Sequence, residues 1–235
     1  QHHSAPNDPD IDPDADFPIL AFSEEQAYSK RGIARLIVKY QAFLLIPLML
    51  FESINLRIHS VNFLISSGKK GRYLYAEAIF FSMHFVLYVA FLVYFLGPAH
   101  GIVFFLVNQA LFGLYFGMSF APNHKGMPLV EKMDFLHQQV ITARNLLPNR
   151  LTDFFFGQLS CQIEHHLFTT MPRNNLRKAQ KIVKVFCQER SIPYYETGLF
   201  RSYKEIFQHL HTVSAPLRTA NITPENVMGK SGSNG

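Results

Sequence analysis

Two apolar runs decide the fold: "YLYAEAIFFSMHFVLYVAFLVYFL" (Tyr73–Leu96) and "GIVFFLVNQALFGLYFGMSFAP" (Gly101–Pro122). A helix needs about 20 apolar residues to cross a hydrocarbon core ~30 Å thick, and each run reaches that length. The four residues between them, "GPAH" (Gly97–His100), leave room only for a tight turn. The sequence therefore predicts an integral membrane protein with a hairpin of two transmembrane helices, 73–96 and 101–122.

A shorter apolar run precedes the hairpin. "FLLIPLMLF" (Phe43–Phe51) is too short to span a bilayer and contains Pro47. Charged residues surround it: Arg35, Lys39, Glu52 and Arg57. This pattern predicts a helix over residues 33–66 that lies along the membrane interface. A re-entrant pair of half-helices is the alternative that the length leaves open.

The basic residues predict how the hairpin is oriented. Lysine and arginine are concentrated in "SGKKGR" (Ser67–Arg72) before the first run, and they recur after the second run, whereas "GPAH" contains neither. Because cytoplasmic loops carry an excess of these residues, both outer ends of the hairpin are expected on the cytoplasmic face. Histidines before and after the hairpin would then lie on the same side of the membrane.

Histidines form three clusters among the eleven in the chain. On a helix, positions i, i+3 and i+4 share one face, so Gln162, His165 and His166 can point at a single centre. Neutral imidazole nitrogen is a good ligand for iron. The candidate metal ligands are His2, His3, His124, His165 and His166, and polar clusters that are satisfied at helix ends without a metal are the alternative. Gln162 and Asn123, which lie beside them in the sequence, are the candidate catalytic residues.

Several carboxylates are candidates to support the histidines. Asp8 and Asp10 follow the first histidine pair, Asp153 precedes the last one, and each is predicted to orient an imidazole. Glu164 lies off the face shared by the histidines and is expected to orient a ligating ring or cap a helix. The acidic run Asp8–Asp16 lacks the glycine and closing glutamate of an EF-hand loop, which excludes that kind of calcium site.

Composition and motifs exclude other classes of function. A net charge of +5 without basic residues interleaved among aromatics argues against a nucleic-acid partner. Cys161 and Cys187 lack metal-site spacing and are too few for a disulfide framework, so both are expected to be reduced thiols. No glycine-rich dinucleotide motif follows a strand pattern, so nothing in the sequence resembles a flavin or nicotinamide site.

The segment Asn174–Phe186 ("NNLRKAQKIVKVF") reads as an amphipathic helix. One side carries apolar residues, and the other carries Arg177, Lys178, Lys181 and Lys184. The basic side suits an acidic protein partner, phosphate groups or anionic lipid. A solvated face with no partner explains the same pattern equally well.

Four stretches carry a resemblance to a known family. "QIEHHLFTTMPRNNL" (Gln162–Leu176) resembles the third histidine box of membrane fatty acid desaturases, of the front-end and acyl-CoA type in which glutamine replaces the first histidine. The opening "QHHSAPNDPDID" resembles the end of the second box and the loop after it. "FAPNHKGMP" (Phe120–Pro128) and "HLHTVSAPLR" (His209–Arg218) are most similar to actinobacterial desaturases of the linoleoyl-CoA or stearoyl-CoA type.

The resemblance implies an all-α integral membrane protein whose cytoplasmic helical cap carries the histidine boxes. It implies that the five histidines named above hold two iron ions, with Gln162 as a weaker ligand or none. With O2 and two electrons, such a centre introduces a cis double bond into a fatty acyl-CoA or an acyl-lipid. The electron donor would be cytochrome b5, ferredoxin or an NAD(P)H-dependent oxidoreductase. Membrane lipids would surround the protein, in a bacterial plasma membrane, with the active site facing the cytoplasm.

The resemblance also predicts how the chain is divided. Residues 1–220 correspond to the C-terminal part of a desaturase domain, with the end of the second box and its loop in 1–32 and the cytoplasmic region with the third box in 123–213. Residues 220–235 are expected to form a disordered tail. Because the first histidine box is missing, we expect a fragment that is inactive alone. Two alternatives remain: a di-iron hydroxylase or ketolase of the same superfamily, and a non-enzymatic membrane lipid-binding protein with structural histidines.

Overall fold

The structure is a computed structural model that describes residues 2–66, 72–157 and 159–219. The described chain is mostly helical, which confirms the predicted helical class. The helices are α1 (Glu24–Ser29), α2 (Gly32–Lys39), α3 (Gln41–Met49), α4 (Glu52–Ser66), α5 (Arg72–His124), α6 (Phe135–Ile141), α7 (Arg150–Phe156), α8 (Gln162–Leu167), α9 (Arg173–Glu189), α10 (Leu199–Val213) and α11 (Ala215–Thr219). Two short strands, β1 (Asn145–Leu146) and β2 (Glu196–Thr197), pair in parallel. The predicted tail lies outside the described residues.

One described helix is long and apolar enough to cross a membrane. It covers Tyr73–His124, with a mean hydropathy of 2.2 and only 6% of its most apolar window buried. Gly97 interrupts it with φ 72° and ψ 165°, so α5 consists of two helices that meet at this residue. Glycine has no Cβ and adopts positive φ at little cost, and Pro98 suits the first turn of the helix that follows. The predicted "GPAH" turn is therefore confined to Gly97.

Residues far apart along α5 contact each other. The hydroxyl of Tyr88 donates a hydrogen bond to Oδ1 of Asn108 at 3.1 Å. The rings of Tyr88 and Phe105 have centroids 6.1 Å apart. In a straight helix with a rise of 1.5 Å per residue, Tyr88 and Asn108 would be about 30 Å apart. Both contacts join a residue before Gly97 to a residue after it.

The segment predicted as one interfacial helix, 33–66, consists of α2, α3 and α4. The break between α2 and α3 bends the chain by 104°, and this bent pair also has the apolar character of a broken span or a re-entrant loop. Small residues of α5 allow the chain beside α3 to approach closely. A Cβ on Gly113 would lie 2.8 Å from the carbonyl oxygens of Met49 and Leu50. The hydroxyl of Ser53 also donates to the carbonyl of Gln109 at 2.9 Å.

The chain divides into two compact units. One is formed by residues 45–118, and the other by residues 1–44 together with 119–235. In the second unit, a buried apolar cluster lies where α6, α8 and α9 meet: Val140, Ala143, Ile163, Val183, Cys187 and Ile192. Another lies between α1, α2, α10 and α11: Ala21, Ala27, Val38, Val213 and Leu217. The first cluster fixes α8, which carries the third histidine motif.

Candidate metal centre

Five histidines from three distant parts of the chain meet in the unit formed by residues 1–44 and 119–235. His2 and His3 lie in a short 3-10 turn, His124 is the last residue of α5, and His165 and His166 lie on α8. The centroids of the His2 ring and the His124 ring are 4.8 Å apart, and those of His124 and His166 are 4.6 Å apart. His3 lies 4.9 Å from both His165 and His166 by the same measure.

Three of these rings can present nitrogen atoms to one metal ion. His2, His124 and His166 each offer a ligand atom, and these atoms all lie within 4.8 Å of one another. His3 and His165 form the adjacent part of the cluster. All five residues that the sequence identified as metal ligands are thus brought together by the fold.

His166 has the features of a prepared ligand. Its Nδ1 lies 3.0 Å from Oε1 of Gln139, a hydrogen bond that places the ring proton on Nδ1. Its Nε2 is buried and has no hydrogen-bond partner among the residues that the structure describes. Burial lowers the pKa of His166 far below its ordinary value, and the neighbouring imidazoles His124, His2 and His3 lower it further. The ring is therefore neutral, with an unshared electron pair on Nε2.

An aspartate orients the ring of His2. Nδ1 of His2 donates to Oδ2 of Asp12 at 2.8 Å, and the backbone amide of Asn7 donates to the same oxygen at 2.8 Å. Burial acts to raise the pKa of Asp12, but the hydrogen bonds from His2 and from the backbone amides of Asp14 and Asn7 outweigh it and hold that pKa below its ordinary value. The ionised carboxylate fixes the proton on Nδ1 and leaves Nε2 of His2 available as a ligand.

Gln162 and Asn123 lie against His124. Nδ1 of His124 donates to the carbonyl of Thr142 at 3.2 Å, and its Nε2 accepts from the amide of Gln162 at 2.9 Å. The amide of Asn123 donates to Oε1 of Gln162 at 3.2 Å. Gln162 therefore presents its amide nitrogen to His124, and its oxygen is bonded to Asn123. Within the described part of the chain, Oδ1 of Asn123 is buried without a hydrogen-bond partner.

The predicted supporting carboxylates occupy other positions. Glu164 is fully buried and accepts hydrogen bonds from Asn145 at 2.8 Å and from Tyr194 at 2.7 Å. Asp153 pairs with Arg177 between α7 and α9. Asp8 accepts from the backbone amide of Asp10 at 3.0 Å. Glu164 thus holds α8 against Asn145 and Tyr194. Asp8 stabilises the loop that leads to Asp12.

The roles of Asp12, Gln139 and Asn145 were not predicted from the sequence. Asn145 accepts a bond from the backbone amide of Ile163 at 3.0 Å, which satisfies a free donor in the first turn of α8. The acidic run Asp8–Asp16 signalled that a carboxylate follows the histidines but not which one reaches them. Gln139 and Asn145 stand in no recognisable motif, because their roles depend on packing between distant elements.

Comparison with known proteins gives the family. The family model described as Fatty acid desaturase matches residues 1–198. The chain belongs to this family. It is 29% identical over 223 residues to an acyl-lipid (9-3)-desaturase from Physcomitrium patens, covering 91% of this chain and 42% of the relative. It is 31% identical over 211 residues to a Delta(8)-fatty-acid desaturase from Euglena gracilis, covering 82% and 49%.

A similar relationship holds for an animal protein. The chain is 28% identical over 200 residues to fatty acid desaturase 3 from Homo sapiens, covering 83% of this chain and 44% of the relative. The chain thus spans about half the length of the curated relatives it matches. No solved structure matches it.

The histidine cluster of this desaturase-family chain fits iron. Imidazole nitrogen is a preferred ligand of iron, and a metal would satisfy the buried Nε2 of His166, an atom that otherwise lacks a partner. Asp12 and Gln139 fix the Nδ1 protons of His2 and His166, so that both rings can turn Nε2 toward one centre. Such hydrogen bonds to the second ring nitrogen are typical of histidines that bind metals.

We expect the stability of the metal-free desaturase chain to fall as the pH drops below 6.5, the ordinary histidine pKa. Burial first, and neighbouring imidazoles second, lower the pKa of His3, His165 and His166. Below pH 6.5 the unfolded chain therefore binds more protons than the folded chain. The free energy of unfolding is then highest above pH 6.5 and decreases as the pH is lowered. Thermal unfolding of chelator-treated protein at a series of pH values measures this loss.

The variant His166→Gln provides the control for this pH series. It removes one lowered pKa, so its melting temperature should fall less steeply with acid than that of the unaltered protein. Glu164 acts in the opposite direction, because burial raises its pKa and its contribution is lost as the pH rises. Because Glu164 is present in both proteins, its contribution cancels when the pH dependence of their melting temperatures is compared. Identical slopes would contradict the assignment of a lowered pKa to His166.

Proposed function

We propose that this protein is a fatty acyl desaturase that introduces a cis double bond into a long-chain fatty acyl substrate. The observation that carries the proposal is the convergence of His2, His3, His124, His165 and His166 in a chain of the fatty acid desaturase family. The relatives reported above are named as desaturases, which supports the same activity. The glutamine of the QxxHH motif at 162–166 suits the front-end and acyl-CoA type and the proposed similarity to actinobacterial enzymes.

The proposed cofactor is a pair of iron ions, with O2 as the co-substrate. His2, His124 and His166 would hold one ion. His124 can do so once the amide of Gln162 turns away from its Nε2. His3 and His165 are the proposed ligands on the neighbouring side. Bound iron would supply the oxidising power that breaks unactivated C–H bonds, which no side-chain acid or base can do. The two electrons would come from cytochrome b5, ferredoxin or an NAD(P)H-dependent oxidoreductase.

The chain's own residues would orient the ligands and exclude water. Asp12 and Gln139 hold the His2 and His166 rings, and Asn145 and Glu164 hold α8 in place. Asp8, Asp10 and Asp153 are proposed to support the same segments indirectly. Gln162 and Asn123 are the proposed catalytic residues, and the buried Oδ1 of Asn123 is suited to accept a hydrogen bond from a water or substrate group beside the metals.

The proposed setting is a membrane. The contacts between Tyr88 and Asn108 support a hairpin of two membrane-spanning helices, 73–96 and 101–122, with residues 33–66 at the interface. The basic residues at both ends of the hairpin support a cytoplasmic location for the histidine cluster, as in a bacterial plasma membrane. An acyl chain carried by CoA or by a lipid would reach the cluster from the bilayer, where membrane lipids surround the helices.

Lipid profiling tests the proposed activity. We expect a host that expresses the protein, in a form as long as its curated relatives, to accumulate a fatty acid with one additional cis double bond. Gas chromatography with mass spectrometry would detect it, and His166→Gln would abolish it. A new hydroxyl or keto group would instead support a di-iron hydroxylase or ketolase. An unchanged profile, with folded protein that retains no iron, would favour a lipid-binding role.

A further inference from the structure

The short helix α7 turns its apolar face outward. Leu151, Phe154 and Phe155 stand at positions i, i+3 and i+4, and 69%, 79% and 49% of their surfaces are exposed. Leu147, just before the helix, is also 49% exposed. The opposite side of α7, with Thr152 and Phe156, is buried. A surface helix normally does the reverse and buries its apolar face.

Hydrogen bonds fix this orientation. Asn149 and Thr152 form a capping box, in which the Asn149 side chain accepts from the backbone amide of Thr152 at 2.9 Å. The carboxylate of Asp153 pairs with Arg177 on α9. Gly157 ends the helix in the left-handed conformation. The pair with Arg177 ties α7 to α9, so α7 cannot rotate to bury Leu151 and Phe154 without breaking it.

Basic residues border the apolar face at both ends of the helix. Arg150 is exposed at the start of α7. Arg173 is exposed as well, and its guanidinium would lie 3.3 Å from a Cβ placed on Gly157, at the other end. Apolar side chains flanked by arginines match the layered chemistry of a membrane surface, where acyl chains lie below anionic phosphates.

We propose that the face formed by Leu147, Leu151, Phe154 and Phe155 inserts into the surface of a bilayer that contains anionic lipid. Leu151 and Phe154 lie among the upper acyl chains, while Arg150 and Arg173 bind lipid phosphates. This surface anchor lies apart from the histidines and goes beyond the proposed desaturase activity. Its test is independent of that activity, because it measures the position of α7 and not the reaction product.

Single-cysteine labelling tests this proposal in the protein reconstituted into vesicles. The native thiols of Cys161 and Cys187 are buried, and burial raises the pKa of Cys161 to about 12, so neither competes for an alkylating fluorophore at neutral pH. The probe is attached in Phe154→Cys and, separately, in Leu151→Cys. Glu189→Cys is the matched control, because Glu189 is an exposed acidic residue at the end of α9.

We expect lipid-attached nitroxide to quench the probes at 151 and 154 and dissolved iodide to leave them unquenched, with a blue-shifted emission. The probe at 189 should be quenched by dissolved iodide and not by lipid-attached nitroxide, and its emission should not be blue-shifted. Strong quenching by iodide at 151 and 154 would show a face in water, and protection from both quenchers would show a face covered by protein. Either result would overturn the proposal.

Vesicle composition tests the role of the arginines. The nitroxide quenching at 154 should be stronger in vesicles that contain phosphatidylglycerol than in vesicles of phosphatidylcholine alone. The double variant Arg150→Gln, Arg173→Gln should remove most of this difference while the probe at 189 stays unchanged. Equal quenching in both vesicle types would refute the part of the proposal that assigns the arginines to anionic lipid.

Discussion

Replacing His166 with glutamine is expected to release iron from the protein and to lower desaturase activity about 100-fold or more, since even residues behind the ligands typically change metal affinity 10–100-fold. His166 is the ring nearest to the centre of the cluster, with contacts to His2, His3 and His124. Its Nε2 is a buried nitrogen for which the described residues offer no hydrogen-bond partner. Glutamine keeps a polar side chain of moderate size, so the main loss is the imidazole ligand.

His137→Gln is the matched control for this variant. His137 lies on α6, the helix that supplies Gln139 to His166, but its side chain is half exposed and pairs with Asp134 at 2.7 Å. Iron content by mass spectrometry and product formation by gas chromatography should match the unaltered protein. If His166→Gln kept full iron content while folding normally, His166 could not be a ligand.

The shared face of the third histidine motif was predictable because its spacing is local. Gln162, His165 and His166 share one face of a helix by elementary geometry, and α8 forms over these residues. The helical structure of the two apolar runs that make up α5 was predictable from their length and composition. The division of residues 33–66 was not predictable from hydropathy, because the breaks near Tyr40 and Leu50 depend on packing. Gly113, for example, lets the chain at Met49 and Leu50 approach closely.

The partners of the ligands could not be predicted in the same way. Asp12 contacts His2 because the backbone amide of Asn7 and the turn after it bring the carboxylate back to the ring. Asp8 and Asp10 are nearer in sequence, yet the side chain of Asp8 accepts a bond from the backbone of Asp10. Gln139 reaches His166 across 27 positions of sequence. Such contacts depend on tertiary structure, so composition and periodicity carry no signal for them.

Arg144 stabilises the end of α5 on which His124 lies. This arginine is 1% exposed. Its Nε donates to the carbonyl of Pro122 at 2.6 Å, and its other nitrogens donate to the carbonyl of Lys125 and to Glu205 at 2.8 Å. The last carbonyls of a helix lack partners within the helix, so a buried helix end needs such donors. Arg144 supplies them on both sides of Asn123 and His124.

We therefore expect Arg144→Met to lower the free energy of unfolding by about 1–3 kcal/mol, the cost typical of leaving a buried polar group without its partner. Methionine fills much of the space but removes the arginine donor from the carbonyl of Lys125 and leaves the carbonyl of Pro122 with the hydroxyl of Ser202 as its remaining side-chain donor. Because the turn that carries His124 then loosens, iron affinity should fall as well. Chemical denaturation in detergent, together with iron titration of the metal-free protein, measures both effects.

Arg201→Met separates this role from simple loss of an ion pair. Arg201 binds the same carboxylate, Glu205, at 3.0 Å, but its side chain is 74% exposed. Exposed pairs of this kind contribute only about 0–1 kcal/mol, so the variant should remain within that range and keep its iron. Equal destabilisation by the two substitutions would mean that Glu205 alone accounts for the effect. A larger loss in Arg144→Met is expected, because only Arg144 binds the carbonyls that flank His124.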